Sequence, residues 1–377
     1  MVRRSYGLLF AALAPVILVA CTGSDRQRPD VDGSPSADDA GADVTAPVAA
    51  KCGATPTQLV DFNALATQNR VAFIGAMQLA LDGTNVYFVF GDQLMRVPIS
   101  GGAALGSKLG LDPNGFQSWD PVATPAAVVL HYLVPGDVNS DERIVAVPPQ
   151  GGTETVLATS HGSVWSLTAD QNNAYFADSM GIQRVPLAGG DVQLLDAQAS
   201  MGGAEVGGLA IVGSNVVATS AAQDGEVIGV PIQRGTATIL ATGQPGARFP
   251  MACGSDTCWW EGGSETAMGA ITAPGYIARL TGAAVTTIPG RVYPWSLTFD
   301  GSDFFETVGC DACAGTLVRI PASGAPPVEM GSAGFIAVDE QCAYFSVVLG
   351  DSTLPSQTDG GLPGTGIYSV VKSYASP

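Results

Sequence analysis

The chain has 377 residues, of which 34 are acidic and 16 are basic, and its formal net charge is −18. Binding to nucleic acid requires clustered Lys and Arg side chains on the phosphate backbone, so this charge balance argues against it. The same balance argues against attraction to an anionic lipid surface.

The first twenty residues have the three parts of a secretory signal peptide. Arg3 and Arg4 form the positively charged N-terminal region. Residues 6–19 form an apolar run that is shorter than the roughly 20 residues of a membrane-spanning helix. The run ends in Leu-Val-Ala-Cys at residues 18–21, which resembles the bacterial lipobox. The resemblance implies that Cys21 carries a diacylglycerol thioether, and an ordinary secretory peptide is the alternative. Thr22 carries no negative charge, which by resemblance to the enterobacterial sorting rule favours the outer membrane over the inner one.

Residues 21–50 are predicted to be a lipidated N terminus followed by a disordered tether. They are mostly Asp, Ala, Pro, Gly, Ser and Thr, with almost no large apolar side chain. Such a segment cannot bury enough surface to offset its ordering entropy. With the signal removed, 14 basic residues face 34 acidic ones, so the mature net charge is near −20.

From residue 51 to residue 377, a unit of about 39 to 50 residues recurs, with its clearest copies starting near residues 79, 167 and 297. Each copy has an apolar segment that ends at an aspartate, then an aromatic pair, and then a segment that ends in Val-Pro or Ile-Pro before a glycine turn. Proline ends strand pairing and glycine permits the reversal, so each unit predicts four β-strands. Four strands in about 40 to 50 residues are typical of one blade of a β-propeller. The sequence therefore predicts an all-β fold, a β-propeller of seven four-stranded blades, with six or eight blades as alternatives.

Two other architectures compete with the propeller, namely an open β-solenoid and a pair of β-sandwiches. A solenoid needs a tighter period of roughly 20 to 30 residues, and sandwiches do not need a recurring Val-Pro turn. The last repeat is one strand short. Either residues 58–62 or residues 70–74 are expected to supply that strand and close the ring.

The repeat has a wider resemblance. An aromatic pair followed by Ile-x-Arg-Val-Pro-x-x-Gly-Gly, as at residues 182–190, is similar to the TolB-like and YWTD-like propeller repeats of bacteria. The resemblance covers roughly residues 78–377 and implies a fold. It implies no ligand, because the chain has Tyr-Phe, Phe-Phe or Trp-Trp where the second group has Tyr-Trp-Thr-Asp.

Six cysteines remain besides Cys21, and an exported protein can join them in three disulfides. The pairings that the predicted strand order favours are Cys52–Cys342 across the two ends of the ring, Cys253–Cys258 across a hairpin, and Cys310–Cys313 within a loop. The last pair forms a CxxC, but it lies in a glycine-rich loop without the helix that activates a redox thiol and without further zinc ligands nearby.

The sequence supplies no recognisable catalytic motif. Its two histidines are interpreted as a packed strand residue, His131, and a loop residue, His161. A serine hydrolase elbow, a zinc-protease helix and a phosphate-binding loop are all missing from the sequence. We therefore predict no catalytic residue, cofactor or metal. The four turn aspartates, Asp82, Asp170, Asp300 and Asp339, are interpreted as turn formers in preference to cation ligands.

The sequence therefore favours a lipid-anchored envelope protein whose propeller is a non-enzymatic binding or scaffold surface. Its expected partners are the membrane, through the lipid on Cys21, and an envelope protein or a glycan. Two Gly-, Pro- and Ser/Thr-rich loops, 264–275 and 350–366, are the candidate contact regions. The alternative is an extracytoplasmic hydrolase or lyase that acts on glycans or peptides at the central face.

Overall fold

The structure is a computed structural model, and it describes residues 52–69, 78–110, 118–133, 141–197, 206–220, 225–244, 251–253, 257–262, 276–281, 284–289, 294–300, 302–308, 315–321, 325–347 and 365–372. Within these residues, the strands pair into seven antiparallel four-stranded sheets, which are the blades of a ring. The predicted signal peptide, Cys21, the whole of the predicted tether, Cys310 and Cys313 lie outside the described residues.

The first elements in the chain are strand β1 (Thr57–Asp61) and helix α1 (Phe62–Asn69). Blade 1 follows with β2 (Ala80–Leu81), β3 (Asn85–Phe90), β4 (Gln93–Pro98) and β5 (Leu105–Lys108). Blade 2 has β6 (Ser118–Ala123), β7 (Val128–Leu133), β8 (Glu142–Val147) and β9 (Thr155–Thr159). Blade 3 has β10 (Ser166–Ala169), β11 (Asn173–Asp178), β12 (Gly181–Pro186) and β13 (Gln193–Ala197).

Blade 4 has β14 (Val206–Val212), β15 (Asn215–Ser220), β16 (Val227–Pro231) and β17 (Thr238–Ala241). Blade 5 has β18 (Met251–Cys253), β19 (Thr257–Gly262), β20 (Tyr276–Thr281) and β21 (Ala284–Pro289). Blade 6 has β22 (Pro294–Phe299), β23 (Asp303–Val308), β24 (Gly315–Pro321) and β25 (Val328–Ala333). Blade 7 has β26 (Ile336–Val338), β27 (Cys342–Val347), β28 (Gly366–Val371) and, as its outermost strand, β1.

The first strands of the seven blades stand side by side around the centre of the ring. Each contacts the first strand of the next blade, and β26 of blade 7 contacts β2 of blade 1. The ring is therefore closed, and the prediction of an all-β propeller with four-stranded blades is confirmed. The solenoid and sandwich alternatives are wrong, because neither arranges its sheets radially around one axis.

Small side chains allow these first strands to converge. One position of each first strand pairs with the second-strand residue that is Tyr87 in blade 1, or with its equivalent in the other blades. The residues at this position are Ala80, Val122, Thr168, Ala210, Ala252, Thr298 and Ala337, and all are buried. A larger side chain at this position would crowd its neighbours in the ring.

The aromatic pairs pack in the layers between neighbouring blades. Successive side chains of a strand point to opposite faces of its sheet. Tyr175 accordingly shares a buried cluster with Leu209 of blade 4, whereas Phe176 shares one with Val129 of blade 2. The described residues form seven such clusters, one at each contact between neighbouring blades. The hydrophobic core is therefore a ring of blade-to-blade layers.

The N-terminal segment closes the ring. Strand β1 pairs with β28, which confirms that the chain before the first full blade supplies the missing strand. The predicted strand extended through Phe62, but the structure ends it at Asp61 and begins α1 at Phe62. The side chain of Asp61 explains this boundary, because its Oδ1 accepts hydrogen bonds from the backbone N–H groups of Asn63 (2.8 Å) and Ala64 (3.2 Å).

Candidate functional site

The two faces of the ring carry different kinds of connection. Because the blade strands are antiparallel, the connections from first to second and from third to fourth strands share one face, which we call the turn face. The connections from second to third strands, and from one blade to the next, share the opposite face, which we call the loop face. Connections on the turn face have two to seven residues, whereas those on the loop face reach thirteen residues at 263–275 and eighteen at 348–365.

Both predicted contact loops therefore start and end on the loop face. Residues 264–275 connect β19 to β20, and residues 350–366 connect β27 to β28. The strands on either side of each loop are paired up to the point where the loop departs. Apart from Thr365 and Gly366, the loops themselves lie outside the described residues.

The connection between blades 2 and 3, residues 160–165, is held on both sides by hydrogen bonds. On the blade 2 side, Ser160 Oγ accepts from the N–H of Glu142 (2.8 Å), and Asp141 Oδ1 accepts from the N–H of Gly162 (2.9 Å). On the blade 3 side, Asp178 Oδ2 accepts from the N–H of His161 (2.9 Å). These bonds fix the shape of this part of the loop face.

Asp178 is the centre of this arrangement. It is fully buried, and its Oδ1 also accepts hydrogen bonds from the N–H of Met180 (2.8 Å) and from Nε2 of Gln183 (2.7 Å). The hairpin tip that follows Asp178 presents the side chain of Met180, which is 49% exposed. His161 is also exposed, as the sequence predicted for a loop residue. The loop face therefore offers an exposed thioether and an imidazole on a rigid support.

His131 and Glu142 form a buried pair beneath this region. His131 Nδ1 lies within hydrogen-bonding distance of Glu142 Oε2, and His131 has no solvent exposure. The interpretation of His131 as a packed strand residue is confirmed. Both side chains are enclosed within blade 2 and are buried from solvent.

The four repeated aspartates form the turns between first and second strands. In each turn, Oδ1 accepts the backbone N–H groups two and three residues further along, at 2.7–2.8 Å. The other carboxylate oxygen bonds a tyrosine hydroxyl at Asp82, Asp170 and Asp339, and the Lys372 ammonium group at Asp300. The turn interpretation is confirmed, since both oxygens of each carboxylate are engaged within its own turn or by its neighbours.

These bonds alter the pKa values of the groups involved. Burial raises the pKa of Asp82, but hydrogen bonds from Tyr87, Thr84 and Asn85 outweigh it, so that the net pKa lies below the usual value of 3.8. Burial likewise raises the pKa of Asp300, and the bond from Lys372 with those from Asp303 and Ser302 outweighs it. The pKa of Tyr87 is raised, first by burial and then by its bond to the Asp82 carboxylate.

Acid is therefore expected to weaken the fold through these turns. A carboxyl group whose pKa is lowered on folding stabilises the protein above its unfolded pKa, here near 3.8, and this stabilisation is lost as the pH falls through the lower folded value. We expect the urea midpoint to fall between about pH 5 and about pH 3, and to fall less in Asp82→Asn. The matched control is Asp191→Asn, at an exposed residue, which should leave the slope unchanged. Equal slopes in all three proteins would contradict this assignment.

The repeated arginine of the third strand connects neighbouring blades at the turn face. In three places its guanidinium donates to a backbone carbonyl in the next blade, and we call each such bond an interblade latch. The latches are Arg96 Nη1 to Pro149 O (3.0 Å), Arg184 Nη1 to Ile232 O (2.8 Å) and Arg319 Nη1 to Lys372 O (3.0 Å). Sequence reasoning missed this role, although the Arg-Val-Pro motif was visible in the repeat.

Two of the three predicted disulfides lie within the described residues, and both are present. Cys52 is bonded to Cys342 across a sequence separation of 290, and Cys253 to Cys258 across a separation of 5. The pairing of Cys310 with Cys313 and the lipidation of Cys21 stay predictions. In the described part of the chain, no helix is long and apolar enough to cross a membrane, and no group of His, Cys, Asp and Glu side chains is arranged to hold a metal ion.

Comparison with known proteins yields structural relatives but no sequence family. No family model matches the chain, and no curated protein matches it. The WD40 domain of Pan2 from Neurospora crassa is 11% identical, with a TM-score of 0.53 over 78% of this chain and 92% of that one. YCF48, in a structure bound to a D1 peptide, is 12% identical, with a TM-score of 0.51 over 85% of this chain and 96% of that one.

The β-propeller domain of the Trilobed protease from Pyrococcus furiosus is 7% identical, with a TM-score of 0.51 over 73% of this chain and 90% of that one. That domain is described as having an open velcro topology. Here the pairing of β1 with β28 closes the last blade. At these identities the likeness shows the fold alone, and the class that it defines is the β-propeller proteins.

Proposed function

We infer that this protein is a lipid-anchored envelope protein whose propeller is a non-enzymatic binding platform, with the loop face as its working surface. The observation that carries this proposal is the unequal length of the loop-face connections, which vary from two to eighteen residues. Connections on the turn face stay within two to seven residues. Variable loops on a rigid scaffold are where binding residues are usually found.

The rigidity of the loop face supports the same proposal. Asp178, Asp141 and Ser160 hold the connection between blades 2 and 3 from both sides. A surface that is already ordered loses less conformational entropy when it binds, so more of its contact energy appears as affinity. Met180, at the tip of the adjoining hairpin, is an exposed apolar side chain suited to the centre of such a contact.

The position of the anchor suits this orientation. The proposed tether, residues 21–50, leads from the lipidated Cys21 to Cys52. Cys52 is bonded to Cys342, which follows the Asp339 turn on the turn face. The tether therefore joins the domain on the side away from the loop face, and a flexible chain of its length spans roughly 30 Å on average. We place the protein at the outer membrane because Thr22 follows the lipidated cysteine.

A protein is the partner that we propose. A propeller of similar fold, YCF48, was solved with a bound peptide, so the architecture is compatible with peptide recognition. The mature chain has a net charge near −20, which suits a partner with a basic surface and disfavours nucleic acid.

Site-specific crosslinking in cells tests the working face. A photoreactive amino acid at Met180 on the loop face should capture a defined partner. The matched control is Ala188, an exposed residue on the turn face of the same blade. Equal capture from both positions, or capture from Ala188 alone, would contradict the assignment of the working face. Capture of nothing from either position would overturn the protein partner and favour a glycan.

The same experiment in a Cys21→Ala background tests the anchor. The variant should leave the membrane fraction, and the Met180 crosslink should be lost if the partner lies at the membrane. Retention of the variant in the membrane fraction would show that the lipid on Cys21 is not the anchor.

A further inference from the structure

A cleft of about 260 Å³ lies between blades 1 and 2 on the turn face, opposite the proposed working surface. Its walls come from strand β4, strand β5 and the turn that follows β8. The lining residues are Tyr87, Leu94, Arg96, Leu105, Gly106, Ser107 and residues 148–152. Arg96 is the only charged residue among them, so the cleft carries one positive group in an otherwise strongly acidic chain.

The latch beside this cleft differs from the other two latches. In blade 3 the latch residue Arg184 pairs across the sheet with Gln193, whose Oε1 accepts a second hydrogen bond from Arg184 Nη2 at 2.5 Å. In blade 6 the Nε of Arg319 lies 3.8 Å from the Asp303 carboxylate. Arg184 therefore has a hydrogen-bond acceptor, and Arg319 a nearby carboxylate, in its own blade in addition to the carbonyl of the next blade.

Arg96 has no such acceptor in its own blade. Its cross-strand partner is Leu105, whose side chain has no hydrogen-bond acceptor and is 55% exposed. Within the described residues, Pro149 O is the one hydrogen-bond acceptor of Arg96. The Arg96 guanidinium thus keeps N–H donors available beside an open cleft. In blade 3, the side chain of Gln193 occupies the equivalent position and accepts a hydrogen bond from Arg184.

We propose that this cleft binds a short aliphatic carboxylate. A carboxylate accepts two parallel hydrogen bonds from a guanidinium, which is the strongest polar contact that Arg96 can make. Ser107 Oγ accepts the N–H of Gly152 (3.2 Å), and its own hydrogen is available for a second carboxylate contact. Leu94, Leu105 and Pro148 supply apolar walls for the hydrocarbon part. The volume accommodates a ligand of a few carbon atoms, either a free acid or the C-terminal residue of a peptide.

The repeat itself supplies the test, because blades 1 and 3 can exchange one residue. Isovalerate is titrated into the full-length protein while binding is followed by saturation-transfer NMR and calorimetry, and isovaleramide is the uncharged comparison. Leu105→Gln installs the acceptor of blade 3 and should weaken isovalerate binding at least tenfold while keeping the latch to Pro149. Gln193→Leu removes that acceptor beside Arg184 and is the matched control, which should leave the affinity for isovalerate unchanged.

The results separate the proposal from its alternatives. Saturable binding of isovalerate that is at least tenfold tighter than that of isovaleramide, and that is lost in Leu105→Gln, supports it. Equal affinity for the acid and the amide, unchanged binding in Leu105→Gln, or no saturable binding to the wild type overturns it. Should Leu105→Gln fail to fold, the acid-to-amide ratio in the wild type decides alone. Titration with Ala-Ala-Leu, free or amidated at its C terminus, shows whether the carboxylate is that of a chain end or of a free acid.

Discussion

Replacing Cys52 and Cys342 with serine should lower the free energy of unfolding by roughly 5 kcal/mol, an estimate from the entropy of closing a loop of this size in the unfolded chain. The bridge joins residues separated by 290 positions, so its removal frees nearly the whole domain in the unfolded state. The measurement is denaturation by guanidinium chloride, followed by tryptophan fluorescence in the oxidised protein.

The second disulfide is the natural control for this prediction. Cys253 and Cys258 are separated by 5 positions, and the same entropy estimate gives about 2 kcal/mol for their replacement by serine. The two variants should thus differ by about 3 kcal/mol although each removes one buried bridge. If both lose the same stability, the Cys52–Cys342 bond does not act by limiting the unfolded chain.

The Cys52–Cys342 bridge lies where the ring is closed. Blades 1 to 6 are each built from consecutive strands, whereas blade 7 depends on β1 from the other end of the domain. Loss of β1 would expose the edge of β28 and the apolar residues beneath it. The Cys52–Cys342 disulfide lies beside the junction of β1 and β28. Next to it, the N–H of Val371 in β28 donates to the carbonyl oxygen of Gly53 (3.0 Å).

The blade could be predicted from the sequence because the interactions that form it join residues close together in the chain. An aspartate at the turn and a tyrosine five residues later, such as Asp170 and Tyr175, bond each other within a single hairpin. Ring closure was also predictable, since the last repeat lacked a strand and the two terminal cysteines each needed a partner.

The interblade latches could not be predicted, because their acceptors have no sequence signature. Arg96 bonds the backbone carbonyl of a residue 53 positions away, and any residue type supplies such a carbonyl. The hydrogen bonds around Asp178 were hidden for the same reason, since two of its three donors are backbone N–H groups. Helix α1 did carry a signal, namely Asp61 as an N-terminal cap, but its eight residues show no strong apolar periodicity.

Replacing Phe62 with alanine should cost about 3–5 kcal/mol of stability, the usual range for loss of a buried phenylalanine side chain. Phe62 has no solvent exposure, and its ring centroid lies 5.8 Å from that of Phe88 and 5.7 Å from that of Phe90. It thereby joins the N-terminal segment to blade 1, while its backbone N–H donates to Thr365 O of blade 7 (3.1 Å). Asn63→Ala, at the next and exposed residue, is the control and should change stability by less than about 0.5 kcal/mol.

Combining Phe62→Ala with the loss of the Cys52–Cys342 bridge shows whether the two features close the ring together. Both secure one short segment, residues 52–69, so removal of either should already weaken the pairing of β1 with β28. We therefore expect the combined loss of stability to be smaller than the sum of the separate losses by more than about 0.5 kcal/mol, the usual error of additivity for independent sites. Phe62→Ala combined with the Cys253–Cys258 replacement, at a distant blade, should instead be additive. Additivity in both combinations would mean that the disulfide and the aromatic contact stabilise the domain independently, and that the N-terminal segment is not one cooperative closure.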